Sequence, residues 1–137
     1  GGFVYDIVAN QIAMHDIYAS ACFVDLQRDK LFAATPDKAM HIWGTGANKT
    51  YTWRSKMFSM PHEMGFSCAQ LEAEAYPVTF EVFVDNPTTP AYTLQVTSRR
   101  PFRLPVLVGR DWEIQLTGAT EVFSVVIAQS MQELSGV

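Results

Sequence analysis

Few side chains in this sequence have the types and spacing that catalysis requires. Glu72 and Glu74 stand two residues apart and would share one face of a strand, as a general acid and base could. The three histidines, His15, His41 and His62, are scattered and lack the spacing of a helical zinc-protease motif. His41 lies in an apolar run and is expected to be structural. These residues predict no enzyme, and a hydrolase using Glu72 or Glu74 is the weakest of three hypotheses.

Metal and cofactor sites are equally unsupported by the residue spacing. Asp25, Asp29 and Asp37 lack the glycine-centred twelve-residue frame of a calcium loop. Cys22 and Cys68 are too far apart in sequence for a metal-binding pair, and two cysteines make no disulfide framework. Each lies in an apolar, strand-like stretch. We therefore expect no metal and no cofactor, and two buried free thiols.

Composition points to a protein with apolar contact surface. The chain has 137 residues, and 18% of them are charged, against roughly 25% in typical soluble domains. Its formal net charge of −4 argues against direct nucleic-acid binding, which needs a basic field. It contains no apolar run of the roughly 18 residues that a membrane span requires. The first residues, Gly1-Gly2, suggest a piece of a longer polypeptide.

Alternation of apolar and polar residues predicts a sheet as the main scaffold. Between Tyr76 and Asp85 every second residue is apolar, so one face of that strand would be committed to a core. Similar stretches recur at regular spacing, bounded by turn residues, which is typical of an antiparallel sandwich. The predicted strands are Thr50–Phe58, Met64–Glu74, Tyr76–Asp85, Ala91–Ser98, Asp111–Thr117 and a central Val122–Ala128.

Two segments flank this predicted sandwich. Ala19 to Trp43 reads as short hairpin strands, and the glycine-rich stretch from Gly44 to Lys49 is the best candidate boundary. After the last strand, Ser130 and Glu133 have capping-box spacing, which predicts a short helix. The fold class is therefore mainly β. An antiparallel, jelly-roll-like sandwich at residues 47–137 follows hairpin strands at residues 1–46 and ends in a short helix.

Two groups of side chains are candidate binding residues. Flat aromatic rings stack on sugar rings, so Trp43, Tyr51 and Tyr92, with Trp112, form a candidate carbohydrate platform. Core packing is the stronger expectation for Trp53 and Trp112, because both are in register with apolar neighbours.

The second group is basic and lies among prolines. Two prolines remove backbone donors, so the segment from Arg99 to Pro105 should run along a sheet edge. Its arginines could dock an acidic partner, or they could guard the edge against unwanted strand pairing. The candidate interface consists of Arg99, Arg100, Arg103 and Arg110.

Four patches, in this order, resemble the carboxy-terminal part of structural proteins from tailed bacteriophages, of the tail-hub or head-to-tail accessory type. They are Tyr51–Lys56 with Phe58 and Pro61, Pro101–Pro105, Gly109–Glu113 and Ala128–Leu134. In that group such stretches follow a propeller-like region of repeated hairpins, and Asp25–Trp43 resembles the last of those hairpins. The chain is too short for a whole propeller, and Gly1–Ser20 has no recognised counterpart.

The resemblance implies a non-enzymatic structural component of a virion, in a tail, hub or connector. Its partners would be other virion proteins and copies of itself, with no direct contact to nucleic acid or membrane. The alternative from another functional class is a carbohydrate-binding β-sandwich module that attaches to a host-surface glycan. The sequence leaves open the host, the position in the particle, the copy number and the role of residues 1–20.

Overall fold

The structure is a computed structural model that describes residues 1–86 and 88–135. Strands account for 53% of the chain and helix for 3%, and the sheets are antiparallel. The predicted class is thereby confirmed, with a sandwich-like arrangement and a short helix at the C-terminal end. The chain divides into two compact units, Gly1–Ala47 and Asn48–Val137, one residue from the predicted break.

The first unit begins with a two-stranded hairpin. Strands β1 (Gly2–Asp6) and β2 (Gln11–His15) pair in antiparallel register. The turn between them is held by Asp6, whose Oδ1 accepts hydrogen bonds from the backbone N–H groups of Val8 and Ala9. Aspartate often stabilises turns in this way. The hairpin therefore has a defined tip.

The rest of the first unit is a three-stranded meander. Strands β3 (Ala21–Asp25), β4 (Lys30–Ala34) and β5 (Met40–Ile42) pair in chain order. On one face Phe23 and Phe32 lie directly opposite each other, and their rings stack with centroids 4.9 Å apart. Such cross-strand aromatic pairs stabilise antiparallel sheets. The hairpin strands predicted between Ala19 and Trp43 are confirmed.

The second unit contains the larger sheets. Its elements among the described residues are β6 (Tyr51–Arg54), β7 (Phe58–Met64), β8 (Cys68–Ala73), β9 (Val78–Val84), β10 (Tyr92–Val96), β11 (Phe102–Arg103), β12 (Gly109–Gly118), β13 (Val122–Ala128) and α1 (Met131–Leu134). One sheet has the order β10-β9-β12-β6, with β7 also paired to β12. The other sheet has the order β11-β8-β13.

Both sheets contribute to one core. The inward residues of β9 and β12 follow the predicted alternation, and those of β8 approach from the opposite sheet, which gives the sandwich its single interior. Leu116 on β12 lies opposite Phe80 on β9, and both are buried. The central members of this cluster are Ala69, Leu71, Val78, Phe80, Val82, Trp112, Ile114 and Leu116.

Two predicted strands differ from the structure. The predicted strand Thr50–Phe58 is interrupted at Ser55, whose N–H donates to the Ile114 carbonyl and whose Oγ accepts the Ile114 N–H. As a result β6 pairs with the second half of β12 and β7 with its first half. Val122–Ala128, predicted to be central, is the edge strand β13 instead. Its outward apolar residues Val126 and Ala128 pack in a cluster with Leu134 of α1. A helix therefore covers the apolar outer face of β13, and that face does not indicate a central position in the sheet.

The structure also tests several smaller predictions. Cys68 is buried as expected, but Cys22 is exposed, and both thiols are free. Ser130 makes no side-chain cap, and Glu133 accepts a hydrogen bond of 3.0 Å from the N–H of Gln129, the residue before the cap, so the short helix forms without the predicted capping box. The edge position predicted for the proline-rich segment is confirmed by β11. Within the described residues, no helix has the length and apolarity to cross a membrane.

Candidate functional site

The candidate site is an apolar groove on the second unit, bounded by the edge strands β6 and β13. It encloses about 350 Å³. Tyr51, Trp53 and Leu116 form its wall on the larger sheet, and the segment from Val122 to Val125 forms the other wall. Among the residues that the structure describes, none of those that line it is charged. A concave surface of this composition suits an apolar or aromatic occupant.

The groove exists because one sheet extends further than the other. Trp53 lies opposite Leu116, which in turn lies opposite Phe80, so all three side chains share the inner face of the larger sheet. Leu116 and Phe80 are buried, yet Trp53 remains 48% exposed. The smaller sheet ends at β13 and leaves Trp53 uncovered. An inner-face tryptophan therefore lies at an open side of the sandwich.

Tyr51 holds one end of the groove in place. Its hydroxyl donates a hydrogen bond of 2.9 Å to the Thr120 carbonyl, in the turn that leads into β13. Burial raises the pKa of the Tyr51 hydroxyl above its ordinary value, so the group remains a hydrogen-bond donor further into the alkaline range than an exposed tyrosine does. This bond connects the edges of the two sheets. The β13 wall of the groove is thus tied to β6 by a hydrogen bond.

Strand β13 is an open and neutral edge. Among the described residues it pairs with β8 alone, so its outer backbone groups have no strand beside them. The register shifts between Val122 and Ser124, which places Phe123 at a bulge, 59% exposed beside the groove. Bulges commonly redirect a side chain at a sheet edge. An unpaired edge and an exposed aromatic ring therefore lie next to each other.

A smaller polar cavity of about 130 Å³ lies elsewhere on the larger sheet. Its lining residues are Met57, Phe83, Asp85, Asn86, Asp111 and Glu113. Asp85 is committed to the backbone, because its Oδ1 accepts the N–H groups of Asp111 at 2.8 Å and Arg110 at 2.9 Å. These bonds hold the pKa of the Asp85 carboxyl below its ordinary value.

The other carboxylates beside that cavity do not form a ligand set. Glu113 is paired with Arg54, whose guanidinium also lies 3.9 Å from the centroid of the Phe83 ring. Within residues 1–86 and 88–135, no group of three or more histidine, cysteine, aspartate or glutamate side chains could hold a metal ion. The carboxylates of Asp85 and Glu113 are thus both engaged by groups of the protein itself.

The structure does not bring the predicted aromatic platform together. Tyr51 and Tyr92 lie on β6 and β10, with β12 and β9 between them in the larger sheet. Trp112 is 1% exposed and cannot present a ring face to a sugar. Trp43 belongs to the first unit, where its ring meets His15 edge-on at 5.8 Å. Of the four predicted residues, Tyr51 alone lines the groove.

The four arginines of the candidate interface are divided between the sheets. Arg99 pairs with Glu72 at 3.1 Å, and Arg103 lies on the edge strand β11. Arg100 is exposed next to them. Arg110 lies on β12 of the larger sheet, where its Nε donates to the Met60 carbonyl at 2.9 Å. The first three arginines therefore occupy one sheet edge, and the fourth is held at another strand.

None of the residues considered for catalysis is among the described residues that line the two cavities. Glu72 is engaged by Arg99, and Glu74 is exposed. Neither lines the groove or the polar cavity. The histidines lie on three different strands: His15 on β2, His41 on β5 and His62 on β7. His41 is exposed, although an apolar run surrounds it in the sequence.

Trp53 and Phe123 are exposed aromatic residues of the groove that sequence reasoning did not select as binding residues. Trp53 was assigned to the core because it is in register with apolar neighbours, and that register is real. Phe123 was hidden in a run that is apolar on both faces. The sequence signal that could have identified them is the position of their strands in the sheets. An aromatic residue on the inner face of an edge strand is covered only if the opposite sheet is equally wide.

No protein-family model and no curated protein sequence matches the chain.

Proposed function

We propose that this chain is a non-enzymatic structural component of a bacteriophage particle, located in a tail, hub or connector. It works by packing against other virion proteins and copies of itself. One observation carries the assembly part of this proposal. From Gly1 to Ala47, all of which the structure describes, Ala33 is the one buried residue. The particle assignment is supported by the resemblance of the four sequence patches to tail and connector proteins.

Sheets without a core are weakly stable when isolated in water. A lone two-stranded hairpin is marginal, and small units gain stability from partners, metals or disulfides. The hairpin β1–β2 exposes apolar side chains on both faces and at its tip. They are Phe3, Val4, Tyr5, Ile7, Val8, Ile12 and Met14. Contiguous exposed apolar surface of this kind marks protein contact sites.

The second unit adds features that suit permanent contacts. Its groove is apolar and neutral, and aromatic residues such as Trp53 and Phe123 are enriched at the centres of protein interfaces. The low charged fraction of the whole chain agrees with large contact areas, because the centres of interfaces are depleted of charge. Both units therefore present surface that assembly would bury.

Affinity capture from a native particle preparation tests this function. The tagged full chain serves as bait, and co-purifying proteins are quantified by mass spectrometry. We expect stoichiometric recovery of portal, tail or capsid components. Recovery of the chain without such proteins would contradict the proposal.

A matched pair of variants makes this experiment sharper. Ile7→Ser combined with Val8→Ser removes the apolar tip of the hairpin, where Val8 is 97% exposed. Val106→Ser removes an equally exposed apolar side chain from a loop of the second unit. If the hairpin is a contact surface, the tip variant should recover less partner than the Val106 variant does.

A carbohydrate-binding role is the second candidate, and the groove itself favours it. Tyr51, Trp53 and Phe123 place three aromatic side chains around one concave surface, and ring faces of this kind stack on sugars. The ligand would be a glycan of the host surface. This site differs from the predicted platform, with which it shares Tyr51.

Tryptophan fluorescence separates this candidate from assembly. A host-surface glycan that binds in the groove should quench the emission of Trp53, and Trp53→Ala should remove the quenching. Trp43→Ala is the control, because Trp43 is comparably exposed but is not one of the residues that line the groove. Quenching that persists in Trp53→Ala would place any glycan elsewhere.

A further inference from the structure

The groove beside β13 requires a particular pattern of side chains from any strand that fills it. Trp53 lies on the inner face of β6 and is about half exposed in the groove. A strand beside β13 would place alternate side chains toward Trp53 and toward the outer face of the smaller sheet. That outer face carries polar residues on β8 and β13, namely Gln70, Glu72 and Ser124. The occupant should therefore be apolar on one face and at least partly polar on the other.

The hairpin β1–β2 of this same chain has that pattern. Residues that lie opposite each other in an antiparallel pair share a face, and one face of the hairpin carries only large apolar side chains. They are Phe3, Tyr5, Ile12 and Met14, and all four are exposed. The other face is mixed and carries Gly2, Val4, Asp6, Gln11, Ala13 and His15. The hairpin is thus a two-stranded piece of sheet with an uncovered apolar face.

Charge distinguishes this face from the other exposed sheet faces of the first unit. None of the described residues that line the groove is charged, so a charged side chain placed there would lose hydration without gaining a partner. The meander face with Phe23 and Phe32 also carries Asp25 and Lys30. The opposite meander face carries His41. Of these three faces, all within the described residues, the apolar hairpin face alone has neither a charged residue nor a histidine.

We propose that the β1–β2 hairpin of one copy docks beside β13 of a second copy, with its apolar face on the groove at Trp53. A hairpin strand pairs with the outer edge of β13, which satisfies backbone groups and covers apolar surface in the same step. The hairpin is a separate two-stranded sheet, so the part that enters is one layer thick. The contact joins different surfaces of two copies and is therefore head-to-tail. This inference rests on the proposed assembly function and names a second copy as one partner.

Self-association of the full chain tests the role of the hairpin. Sedimentation equilibrium of the wild type should show association that increases with concentration. Ile12→Asp places a carboxylate on the apolar face, and Val4→Asp places the same charge on the other face of the hairpin. We expect Ile12→Asp to raise the dissociation constant about tenfold or more, because its charge would be buried against an uncharged groove. Val4→Asp should leave the constant nearly unchanged, and equal effects would overturn the proposal.

A second pair of variants tests the role of the groove. Trp53 and Thr52 are adjacent and exposed on β6, but Thr52 points to the opposite face, where it lies opposite Thr117. Trp53→Asp should weaken self-association about tenfold or more, whereas Thr52→Asp should leave it nearly unchanged. Circular dichroism verifies that each variant keeps its strands. Association of Trp53→Asp with the wild-type constant would show that the groove is not the docking site.

Mixing the two weakened variants tests whether hairpin and groove meet each other. Ile12→Asp retains an intact groove, and Trp53→Asp retains an intact hairpin. Their equimolar mixture should therefore form a mixed complex that neither variant forms alone, with about the wild-type dissociation constant. Mixing would not restore a contact between two hairpins or between two grooves, nor would it rescue a misfolded variant. Failure of the mixture to associate would overturn the proposal.

Cross-linking gives a readout that does not depend on affinity. One chain carries Ile12→Cys and the other Phe123→Cys, both in a Cys22→Ser background, where Cys68 is buried and unreactive. A short bis-maleimide should link the mixed chains, and Val4→Cys in place of Ile12→Cys should link them less. A chain that is monomeric and fails to cross-link, yet captures tail or connector proteins, would refute this inference and leave the assembly function standing. Cross-linking without capture of any particle protein would support hairpin docking and contradict the particle assignment.

Discussion

Trp53 and Trp112 show how little a residue's own strand says about its exposure. Both follow an alternating apolar pattern, and both point to the inner face of the larger sheet. Trp112 is buried and donates its Nε1–H to the Gly109 carbonyl at 3.1 Å, with Phe66 edge-on at 4.8 Å. Trp53 is about half exposed and lines the open groove. The difference in exposure between the two tryptophans comes from the opposite sheet of the sandwich.

The two tryptophans should therefore respond differently to truncation. Trp112→Ala removes a buried ring and its hydrogen bond, and it should lower the free energy of unfolding by about 3–5 kcal/mol. Trp53→Ala should change it by less than about 1 kcal/mol. Urea unfolding of dilute samples measures both values. A near-neutral Trp112→Ala would mean that the ring is not part of the core.

Asp85 should make stability depend on pH in the acid range. Its carboxylate accepts two backbone N–H groups, and its pKa in the folded state lies below the ordinary value of 3.8. The stabilisation is therefore present above the unfolded pKa and is lost as the pH falls through the lower folded pKa. Asp85→Asn should be less stable than wild type near pH 7.

The pH dependence of that difference is the decisive measurement. Thermal unfolding at pH values from about 7 down to 2 should show the two proteins converging below the unfolded pKa. A gap that stays constant over this range would mean that the carboxylate charge contributes nothing. Glu121→Gln serves as a control, because Glu121 is exposed in a turn.

At the level of elements, sequence pattern predicted where strands occur better than where they lie. The alternation in β9 and β12 follows from the pleat of a single strand, so local sequence was sufficient. The position of β13 was mispredicted because α1 covers its outer face, and a pattern that is apolar on both faces does not say what provides the cover. The groove depends on the unequal widths of two sheets, which no local pattern encodes.

The cover provided by α1 can be tested on its own. Leu134 is buried in a cluster with Cys68 and Ala128, whereas Met131 of the same helix is exposed. Leu134→Ala should lower the free energy of unfolding by about 2 kcal/mol, and Met131→Ala should lower it by much less. Chemical denaturation compares the two. Equal small effects would mean that α1 is not packed on β13.

At the scale of the molecule, the two units differ in what stabilises them. The second unit has a core built from both of its sheets, and the first has a single buried residue. Composition had predicted apolar contact surface from the low charged fraction, but it could not assign that surface to residues 1–47. That assignment needed the strand pairing, because β1–β2 presents apolar residues on both of its faces.

The units should behave differently when separated. Residues 48–137 are expected to unfold cooperatively, with a dispersed amide NMR spectrum. Residues 1–47 alone should give the narrow amide dispersion of an unfolded chain, because nothing covers their apolar side chains. A dispersed spectrum for residues 1–47 would show that the first unit is stable without a partner, which would weaken the assembly argument.

The two edges of the smaller sheet differ in what they allow a neighbouring strand to do. A sheet with two permissive edges can add copies without limit and grow into fibrils. At the β11 edge lie Pro101 and Arg103, and prolines and charges of this kind oppose strand pairing. Strand β13 at the other edge contains neither a charged residue nor a proline. A strand added at β13 would therefore find no second permissive edge in this sheet from which to continue, so the sheet is a poor template for open-ended growth.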